Sequence, residues 1–584
     1  MLKVATMKGP NVEYSDLKAL IDVFLALPKY RVSLAILLIL SVIESVLGGA
    51  SLSLLIPITQ GLTGSVDENS FITRLYPSYL KENTSLAISI FGAVFLAQSL
   101  FSILRTYLSI MVAEKLRLDL QRSMVLTSLT LSLPEIIRVP RGVLIENTLR
   151  ITDIAAMFVL KLLTYLTQLV VLAGLLGALL LTSPKSFAVL VVVAVLSWFG
   201  IGTRYFKWSR SVGRQKVRLG QNISEAFSAS LAGIKEIKLS DREPYWIGRI
   251  CEDIKRFYHL RVVSKMATTM PMHLSQSVIG VALFVAGVFM VYADAQIEEN
   301  LPLIIFLATT IYRLFKQTIV VATSRFGAIN NHYAFELIKN KSNPSTSTQT
   351  QKPQLISNPK APLVSVRNLS FSYNDNSTDE RSEAARQAVF RRFDFELTRS
   401  EIVAIFGPSG SGKTTLIDLI AGLYEPEGGE ILVEGHFLRE IDTSSWRKKI
   451  GYVPQQPVLF RDSLRENIRL GREHVTDEKI IQACRTSCIT EMLEDWPDGL
   501  DTIIEEAGAN ISGGQLRRIA VARAIVSDPS LVILDETASS LEESMEKKII
   551  QNLKNHSEAA VLIISHRATT QALVDRSIKL ETKN

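Results

Sequence analysis

Six long apolar runs in the N-terminal part of the chain constrain its fold more than any other feature. They occupy residues 32–59, 86–112, 154–181, 186–203, 268–293 and 301–321. A helix that crosses a bilayer needs about 20 mostly apolar residues, and these runs are too many and too long for the core of a soluble protein. We therefore predict an α-helical transmembrane domain with six spanning helices.

The connections between these runs indicate the orientation. Two long connections, residues 113–153 and 204–267, are dense in Lys and Arg, and the short connection 294–300 carries acids and no base. Because basic connections stay on the cytoplasmic side, we expect both long connections and both termini to be cytoplasmic. The formal net charge of +7 then reflects membrane topology, so no nucleic-acid partner is predicted. Helical patterning indicates that both connections extend the spanning helices beyond the membrane.

The composition changes at residue 339. Residues 339–362 are rich in Ser, Thr, Gln, Pro and Lys, a composition that cannot bury a core and is typical of a flexible linker. Beyond the linker, helical stretches alternate with short β-branched runs at residues 363–366, 402–406, 431–433, 531–534 and 560–564. This alternation predicts a mainly parallel sheet flanked by helices. The domains are therefore expected at residues 1–338 and 363–584.

A strand at residues 401–406 runs directly into a glycine-rich loop that opens a helix. The loop and the start of the helix read Gly407, Pro408, Ser409, Gly410, Ser411, Gly412, Lys413, Thr414 and Thr415. Glycines let backbone N–H groups close round the phosphates of a nucleotide, and the helix N-terminus adds positive potential. Lys413 supplies a charge to the phosphate oxygens, and the Thr414 hydroxyl is suited to Mg²⁺. The sequence thus predicts a P-loop (Walker A) site for ATP and Mg²⁺.

An acidic pair follows the apolar run at residues 531–534. Asp535 fits the Walker B role of holding Mg²⁺, and Glu536 fits a general base that polarises the attacking water. About twenty residues upstream, Ser512, Gly513, Gly514 and Gln515 precede a helical run. Ser512 on its own would be an ordinary helix N-cap.

This set of motifs at this spacing resembles the ATPase of an ABC transporter. Residues 512–515 resemble the signature loop of that family, with Ile511 in place of the usual Leu. Glu542 stands where the family usually has Asp in its D-loop, and residues 374–386 form an insertion after Tyr373. The resemblance implies an α/β P-loop NTPase domain with a helical subdomain, preceded by a six-span transmembrane domain of the exporter type.

The resemblance also implies roles for further residues. Tyr373 is expected to stack on adenine, Gln455 to contact Mg²⁺ and the γ-phosphate, and His566 to act as the switch histidine at the γ-phosphate. In this family ATP binds between the phosphate loop of one ATPase domain and the signature loop of another. The chain carries each loop once, so the resemblance implies a half-transporter that works as a homodimer; a heterodimer with a related chain is the alternative.

Five charged residues lie inside the apolar runs. They are Glu44, Arg105, Lys161, Arg313 and Lys316. Such residues are costly in lipid and normally face a cavity or a partner. One hypothesis is that Glu44 and Arg105 neutralise one another, while the lysines extend towards an interface. The other is a basic cavity for an anionic head group, formed by Glu44, Arg105, Arg313 and Lys316.

A second resemblance favours the basic cavity. Residues 43–57, 233–239 and 311–314 are similar to the bacterial flippases of lipid-linked oligosaccharides. The resemblance implies a flippase or exporter of the bacterial inner membrane that moves an amphipathic, anionic lipid-linked substrate outward at the expense of ATP. Two alternatives stay open: an exporter of peptides or hydrophobic drugs and toxins, and an ATPase whose membrane part only anchors or regulates it.

Overall fold

The structure is a computed structural model. It describes residues 28–55, 58, 83–182, 203–292, 297–342, 353–373, 388–505, 510–536, 542–556 and 558–581. The chain divides into two compact units. One comprises residues 1–131 and 135–346, and the other comprises residues 132–134 and 347–584. Each unit has hydrophobic clusters of its own.

Helices make up the described residues of the N-terminal part of the chain. They are α1 (Arg31–Ser53), α2 (Thr84–Thr130), α3 (Leu133–Ile137), α4 (Arg141–Glu146), a π-helical turn (Asn147–Ile151), α5 (Thr152–Thr182), α6 (Thr203–Ala232), α7 (Ile234–Leu239), α8 (Glu243–Tyr292) and α9 (Ile297–Ser342). Helices α2, α8 and α9 have 47, 50 and 46 residues. Each is far longer than the roughly 20 residues that cross a bilayer.

Three helical stretches among the described residues are long and apolar enough to cross a membrane. They are Arg31–Ser53, Thr84–Thr130 and Arg141–Leu180, and they contain most of the first three predicted spans. The predicted fifth and sixth spans fall within α8 and α9, apart from residue 293. The predicted fourth span lies outside the described residues except for Thr203.

Helix α5 lies at the centre of the first unit, where it packs along α1, α2 and α9. Its residues Phe158 and Val159 are fully buried. Helix α6 approaches α9 closely at Gly213, where a Cβ atom would lie 2.0 Å from the carbonyl oxygen of Asn330. A residue without a Cβ is therefore required at this crossing.

The second unit is built on two larger sheets and one short ribbon. Its strands are β1 (Val364–Ser372), β2 (Ala388–Leu397), β3 (Ile402–Phe406), β4 (Gly428–Val433), β5 (His436–Phe437), β6 (Ile450–Val453), β7 (Asp462–Ser463), β8 (Ile503–Ile504), β9 (Leu531–Asp535), β10 (Ala560–Ile564) and β11 (Arg576–Lys579). A parallel sheet has the order β11-β3-β10-β9-β6, and an antiparallel sheet has the order β2-β1-β4-β5. Strands β7 and β8 form the ribbon.

The expectation of a mainly parallel sheet was incomplete. The predicted strands at residues 363–366 and 431–433 belong to the antiparallel sheet, where Val364 pairs with Val433. Strand β2, which lies between these two strands in the chain, was not predicted. Its pairing with β1 shifts register between Val366 and Phe371, and such irregularity obscures the period-two pattern by which strands are recognised.

Helices surround these sheets. They are α10 (Lys413–Ile420), α11 (Thr443–Arg447), α12 (Leu464–Arg469), α13 (Asp477–Thr486), α14 (Thr490–Asp495), α15 (Gly513–Ile525), α16 (Glu543–His556) and α17 (Ala568–Gln571). Helices α12 to α15 share a separate hydrophobic cluster that includes Leu464, Ile480 and Ile519. They form the helical subdomain of this unit.

The parallel sheet explains why motifs far apart in the sequence meet. The carboxyl ends of parallel strands lie at the same edge of a sheet, and ligands bind there. Strand β3 leads into the phosphate loop, β6 into Gln455, β9 into Glu536 and β10 into His566. The four segments therefore emerge at one edge.

Candidate functional site

The phosphate loop joins the buried strand β3 to helix α10. Gly410 and Gly412 have φ angles of +83° and +91°, a region that residues with a side chain rarely adopt. Lys413 is 7% exposed, and its Nζ atom donates to the carbonyl oxygens of Gly407 and Pro408 at 2.8 and 2.9 Å. The loop thus curls round one ammonium group at the positive end of α10.

The donor groups of this loop fit the phosphates of a nucleotide. Ser411 Oγ is buried and has no hydrogen-bond partner in the part of the chain that the structure describes. Ser409 and Thr414 are exposed. Backbone N–H groups in a glycine-rich turn, an ammonium and free hydroxyls are the donors that phosphate oxygens accept from.

Tyr373 is held beside the phosphate loop. Its hydroxyl shares a hydrogen bond of 2.8 Å with Thr415 Oγ1, and its ring packs edge-to-face against Phe371 and Tyr424. The side chain nevertheless stays 48% exposed. An aromatic ring fixed at its polar end and open elsewhere can stack on a base.

Asp535 ends strand β9 as a buried carboxylate, and the Tyr452 hydroxyl donates to its Oδ2 atom at 3.3 Å. Burial, and to a smaller extent the charge of Glu536, raises the pKa of Asp535. A cation would relieve this penalty. Together with the Thr414 hydroxyl and the Gln455 amide oxygen, Asp535 offers the hard oxygen ligands that Mg²⁺ prefers, so these residues fit the metal.

Asp418 is a candidate site residue that was not predicted from the sequence. It follows Thr414 by four residues on α10, and side chains at this spacing share one face of a helix. Burial, and then the charge of Asp535, raises the pKa of Asp418 to about 6. A second carboxylate therefore lies near the candidate Mg²⁺ ligand Asp535. The spacing from Thr414 is the signal that could have identified Asp418.

Glu536 lies at the centre of the predicted catalytic residues. Its backbone is left-handed, with a φ angle of +46°, which is uncommon for a residue with a side chain and is typical of functional sites. Gln455 Nε2 donates to Glu536 Oε2, and His566 Nε2 lies 2.9 Å from Glu536 Oε1. Arg517 adds weak hydrogen bonds of 3.4 Å to the carbonyl oxygens of Glu536 and Gln455. The structure thus brings Gln455, Glu536 and His566 together.

The signature residues begin helix α15. Ser512 is the N-cap, and its backbone N–H and hydroxyl exchange hydrogen bonds with Gln515 in a capping box. A Cβ atom at Gly513 or Gly514 would meet no atom within 4 Å among the described residues. The start of this 13-residue helix therefore presents an open, electropositive surface. Residues 539–541 of the predicted D-loop and the insertion at residues 374–386 lie outside the described residues.

A second candidate site is a cavity of about 530 Å³ in the first unit. The four predicted substrate-site residues, Glu44, Arg105, Arg313 and Lys316, all line it. Polar side chains, three glutamines and two serines among them, also face this space. A polar cavity between apolar helices is the usual location of a binding site in a helical membrane protein.

The charges of this cavity are unevenly compensated. Arg105 Nε donates to Glu44 Oε2 at 2.6 Å, and both side chains are over 90% buried, so these two residues neutralise one another. Arg313 donates to Ser51 Oγ at 2.8 Å. Within the described residues no carboxylate pairs with Arg313 or Lys316. Lys161 packs its methylene groups against Gly327.

Two family models match the chain, in separate stretches. The family model described as "ABC transporter transmembrane region" matches residues 34–314, and the model described as "ABC transporter" matches residues 390–539. Together the two matches cover more than two thirds of the chain.

Curated relatives differ in the cargo that their names state. An ATP-dependent lipid A-core flippase of Syntrophus aciditrophicus is 36% identical over 37% of this chain and 34% of its own length. A mitochondrial iron-sulfur clusters transporter of Kluyveromyces lactis is 26% identical over 68% of this chain and 54% of its own. A putative multidrug export ATP-binding/permease protein of Staphylococcus aureus is 35% identical over 37% and 36%. The matched stretches thus span from about a third to about a half of these relatives.

A solved structure has the same fold. It is a bacterial Atm1-family ABC exporter with ATP bound, which superposes with a TM-score of 0.74 over 96% of this chain and 95% of the other, at 22% identity. The helical unit is thus of the exporter type, and the phosphate loop is that of a nucleotide-binding domain. The chain belongs to the ABC transporters, with the transmembrane region of the family followed by its ATP-binding domain.

Proposed function

We propose that the chain is an ATP-driven exporter or flippase that moves an amphipathic, anionic lipid-linked substrate outward across a membrane. One observation carries the choice of substrate. Arg313 and Lys316 face the membrane cavity without an acidic partner among the described residues, whereas Arg105 is already paired with Glu44. A cavity with uncompensated cations favours an anionic head group, because an unpaired charge in a membrane gains from a counter-charge.

The ATPase half of the proposal assigns a role to each nucleotide-site residue. The backbone N–H groups that residues 407–415 offer, from every residue except Pro408, and the Lys413 ammonium bind the phosphates. Tyr373 stacks on adenine. Thr414, Gln455 and Asp535 hold Mg²⁺, which offsets the phosphate charge. Glu536 accepts the proton of the attacking water, and His566 contacts the γ-phosphate.

A second copy of the chain completes each nucleotide site. The phosphate loop and residues 512–515 each occur once in the sequence, and the open surface at Gly513 and Gly514 suits the phosphates of a nucleotide held by a partner. A homodimer is the simplest closed assembly. ATP favours the closed, outward-facing dimer and hydrolysis resets it, since each ligand acts by its differential affinity for the two states.

The proposed location is a bacterial inner membrane, with both termini and the ATPase domain in the cytoplasm. The basic residues of the two long connections support this orientation. The lipid A-core flippase among the relatives favours a lipid substrate, and the multidrug export protein favours the alternative of peptides or hydrophobic drugs.

The test is a flipping assay in liposomes that contain the purified chain. Lipid-linked glycans, peptides and amphipathic drugs are compared for movement and for stimulation of ATP hydrolysis. We expect lipid-linked glycans to move, and Arg313→Gln or Lys316→Gln to reduce their stimulation about tenfold, because each removes a charge-assisted hydrogen bond. Basal hydrolysis should change little.

Lys161→Gln is the matched control, because it removes a cation whose side chain packs on Gly327. Movement of peptides or drugs alone would favour the alternative cargo. Equal loss of basal and stimulated hydrolysis in the Arg313 variant would contradict the head-group cavity. Hydrolysis without movement of any substrate would favour an ATPase that the membrane part only anchors.

A further inference from the structure

The position of His566 is set mainly by hydrogen bonds of the residues next to it in the chain, Ser565 and Arg567. The His566 side chain is 50% exposed and contacts Glu536. On one side, Ser565 is 1% exposed, and its backbone N–H donates to the carbonyl oxygen of Ile405 at 3.3 Å. On the other side, the backbone N–H of Arg567 donates to Ser565 Oγ at 3.1 Å. The position of His566 therefore depends on what fixes Ser565 and Arg567.

One buried carboxylate fixes this segment. Glu546 Oε1 accepts a hydrogen bond from Thr570 Oγ1 at 2.9 Å, and Glu546 Oε2 accepts one from Arg567 at 3.0 Å. The hydroxyls of Ser565 and Thr570 share a further hydrogen bond of 2.8 Å. Glu546 is 6% exposed and Thr570 is fully buried. Both carboxylate oxygens are thus satisfied, which is the condition under which a buried charge holds its surroundings firmly.

Glu546 itself is fixed by the start of helix α16. The backbone N–H groups of Met545 and Glu546 both donate to the carbonyl oxygen of Glu542 at 3.0 Å. Further along the same helix, Ile549, Ile550 and Leu553 are buried in a hydrophobic cluster with β9 and β10. The Glu546 carboxylate is therefore held by a well-packed helix, and Arg567 and Thr570 bond to that carboxylate.

We propose that Glu546 is a positioning residue for His566. It holds Arg567, which follows His566 in the chain, and Thr570, which bonds to Ser565 on the other side of His566. His566 thereby stays within reach of Glu536 and the nucleotide. This inference rests on the proposed function in one respect, namely that His566 acts during ATP hydrolysis. Glu546→Gln keeps the size of the side chain but removes its charge, so the ion pair with Arg567 is lost and the Thr570 hydroxyl can no longer donate to a carboxylate.

The first test is the kinetics of ATP hydrolysis by the full-length chain in liposomes. We expect Glu546→Gln to lower kcat about tenfold, because small misplacements of a catalytic group cost one to two orders of magnitude. The KM for ATP should change less than about twofold, since the phosphate loop is untouched. Thr570→Val removes the hydrogen bonds of the Thr570 hydroxyl to Glu546 and to Ser565. It leaves the ion pair of Glu546 with Arg567, so its effect should be smaller.

Lys554→Gln is the matched control. Lys554 lies on the same helix and pairs with Asp575, but both side chains are largely exposed. Exposed pairs contribute little to stability, so this variant should keep wild-type kcat. A comparable fall in kcat would show that any loosening of α16 reduces activity, which would overturn the specific role of Glu546.

A double-variant cycle separates positioning from general damage. Once His566 is replaced by Ala, Glu546→Gln should lower the residual kcat no further, because two residues that act through one another are not additive. If Glu546→Gln lowers kcat by the same factor with and without His566, Glu546 acts by another route and the proposal fails.

Hydrogen–deuterium exchange tests the same inference without a measurement of ATP hydrolysis. Glu546→Gln should speed exchange in residues 565–572 and leave the phosphate loop, residues 407–415, unchanged. Unchanged exchange in the first segment would overturn the proposal. A wild-type chain that does not hydrolyse ATP would contradict the proposed function, whereas the exchange result would still decide the role of Glu546.

Discussion

The nucleotide site and the membrane cavity are built in opposite ways. The nucleotide site is assembled from short continuous motifs that follow β3, β6, β9 and β10, and its phosphate loop has left-handed backbone at Gly410 and Gly412. The cavity is lined by side chains from four helices, such as Glu44 on α1 and Arg313 on α9. A site made of local motifs is encoded locally. A site made of side chains from distant helices depends on how those helices pack.

The two sites also differ in how closely their local sequence determines the ligand. The phosphate loop has one geometry that suits one ligand chemistry, so the same short pattern identifies the same ligand. The cavity has a charge and a volume but no repeated local pattern. The names of the chain's relatives state different cargoes. Substitutions at the nucleotide site should therefore affect chemistry, and substitutions in the cavity should affect stability or choice of substrate.

The largest effect is expected for Glu536→Gln, which tests the local character of the nucleotide site. The variant should hydrolyse ATP about 10²- to 10⁴-fold more slowly, because it lacks the proposed general base. ATP should still bind, since residues 407–415 are intact, and it should trap a closed dimer. Steady-state hydrolysis and retention of radiolabelled ATP measure the two properties.

Glu543→Gln is the control for this prediction. Glu543 is an exposed carboxylate at the start of α16, so its loss should leave hydrolysis near the wild-type rate. Hydrolysis by the Glu536 variant at the rate of this control would contradict the assignment of Glu536.

The sequence predicted the parts of the fold that have a strong local signal. The apolar runs predicted the helices α1, α2 and α5, and the strand–loop–helix pattern predicted β3 and α10. The antiparallel sheet was missed because the bulged pairing of β1 with β2 has no regular alternation. Asp418 lies four residues after Thr414, which the sequence shows, but its proximity to Asp535 appears only in the folded chain.

The cavity shows the limit more clearly. The sequence left two interpretations of Glu44 and Arg105 open, as a neutral pair and as part of a basic cavity. The structure combines them, because the pair is formed and also lines the cavity. These residues are 61 positions apart, and nothing local in the sequence could decide their pairing.

The second prediction tests whether the cavity is held by its packing. Glu44→Gln leaves Arg105 buried without its counter-charge, and breaking a buried pair in this way costs about 3–5 kcal/mol. The unfolding midpoint in detergent should fall clearly. The double variant Glu44→Gln with Arg105→Gln should recover part of the loss, because no unpaired charge remains.

Lys29→Gln provides the comparison for this pair. It breaks an exposed ion pair with Asp119, in which the lysine side chain is 64% exposed, and should change the midpoint little. A double variant as unstable as the single one would show that the pair is not the source of the effect. The claim that long-range pairing of Glu44 with Arg105 holds the cavity would then be contradicted.

The smallest effect is expected for Lys216→Met on α6, outside the predicted spans. Burial, and then the charges of Arg150 and Arg261, lower the pKa of Lys216 from about 10.5 to about 8. Folding therefore disfavours the charged ammonium. Below pH 8 the lysine is charged in both the folded and the unfolded chain, so this cost is fully present. Between about pH 8 and 10.5 the unfolded chain binds the proton more tightly, so the stability of the wild type rises with pH.

Met fills a similar volume without the charge, so the variant should be more stable than the wild type at pH 7. We expect a rise in the unfolding midpoint of about 2–4 °C, equivalent to roughly 1 kcal/mol in a domain of this size. The advantage should shrink as the pH approaches 10, where the wild-type lysine is mostly neutral when folded. An advantage that stays constant with pH would mean that Met gains from packing alone. ATP hydrolysis should not change, because Lys216 is not among the residues that line the membrane cavity or form the nucleotide site.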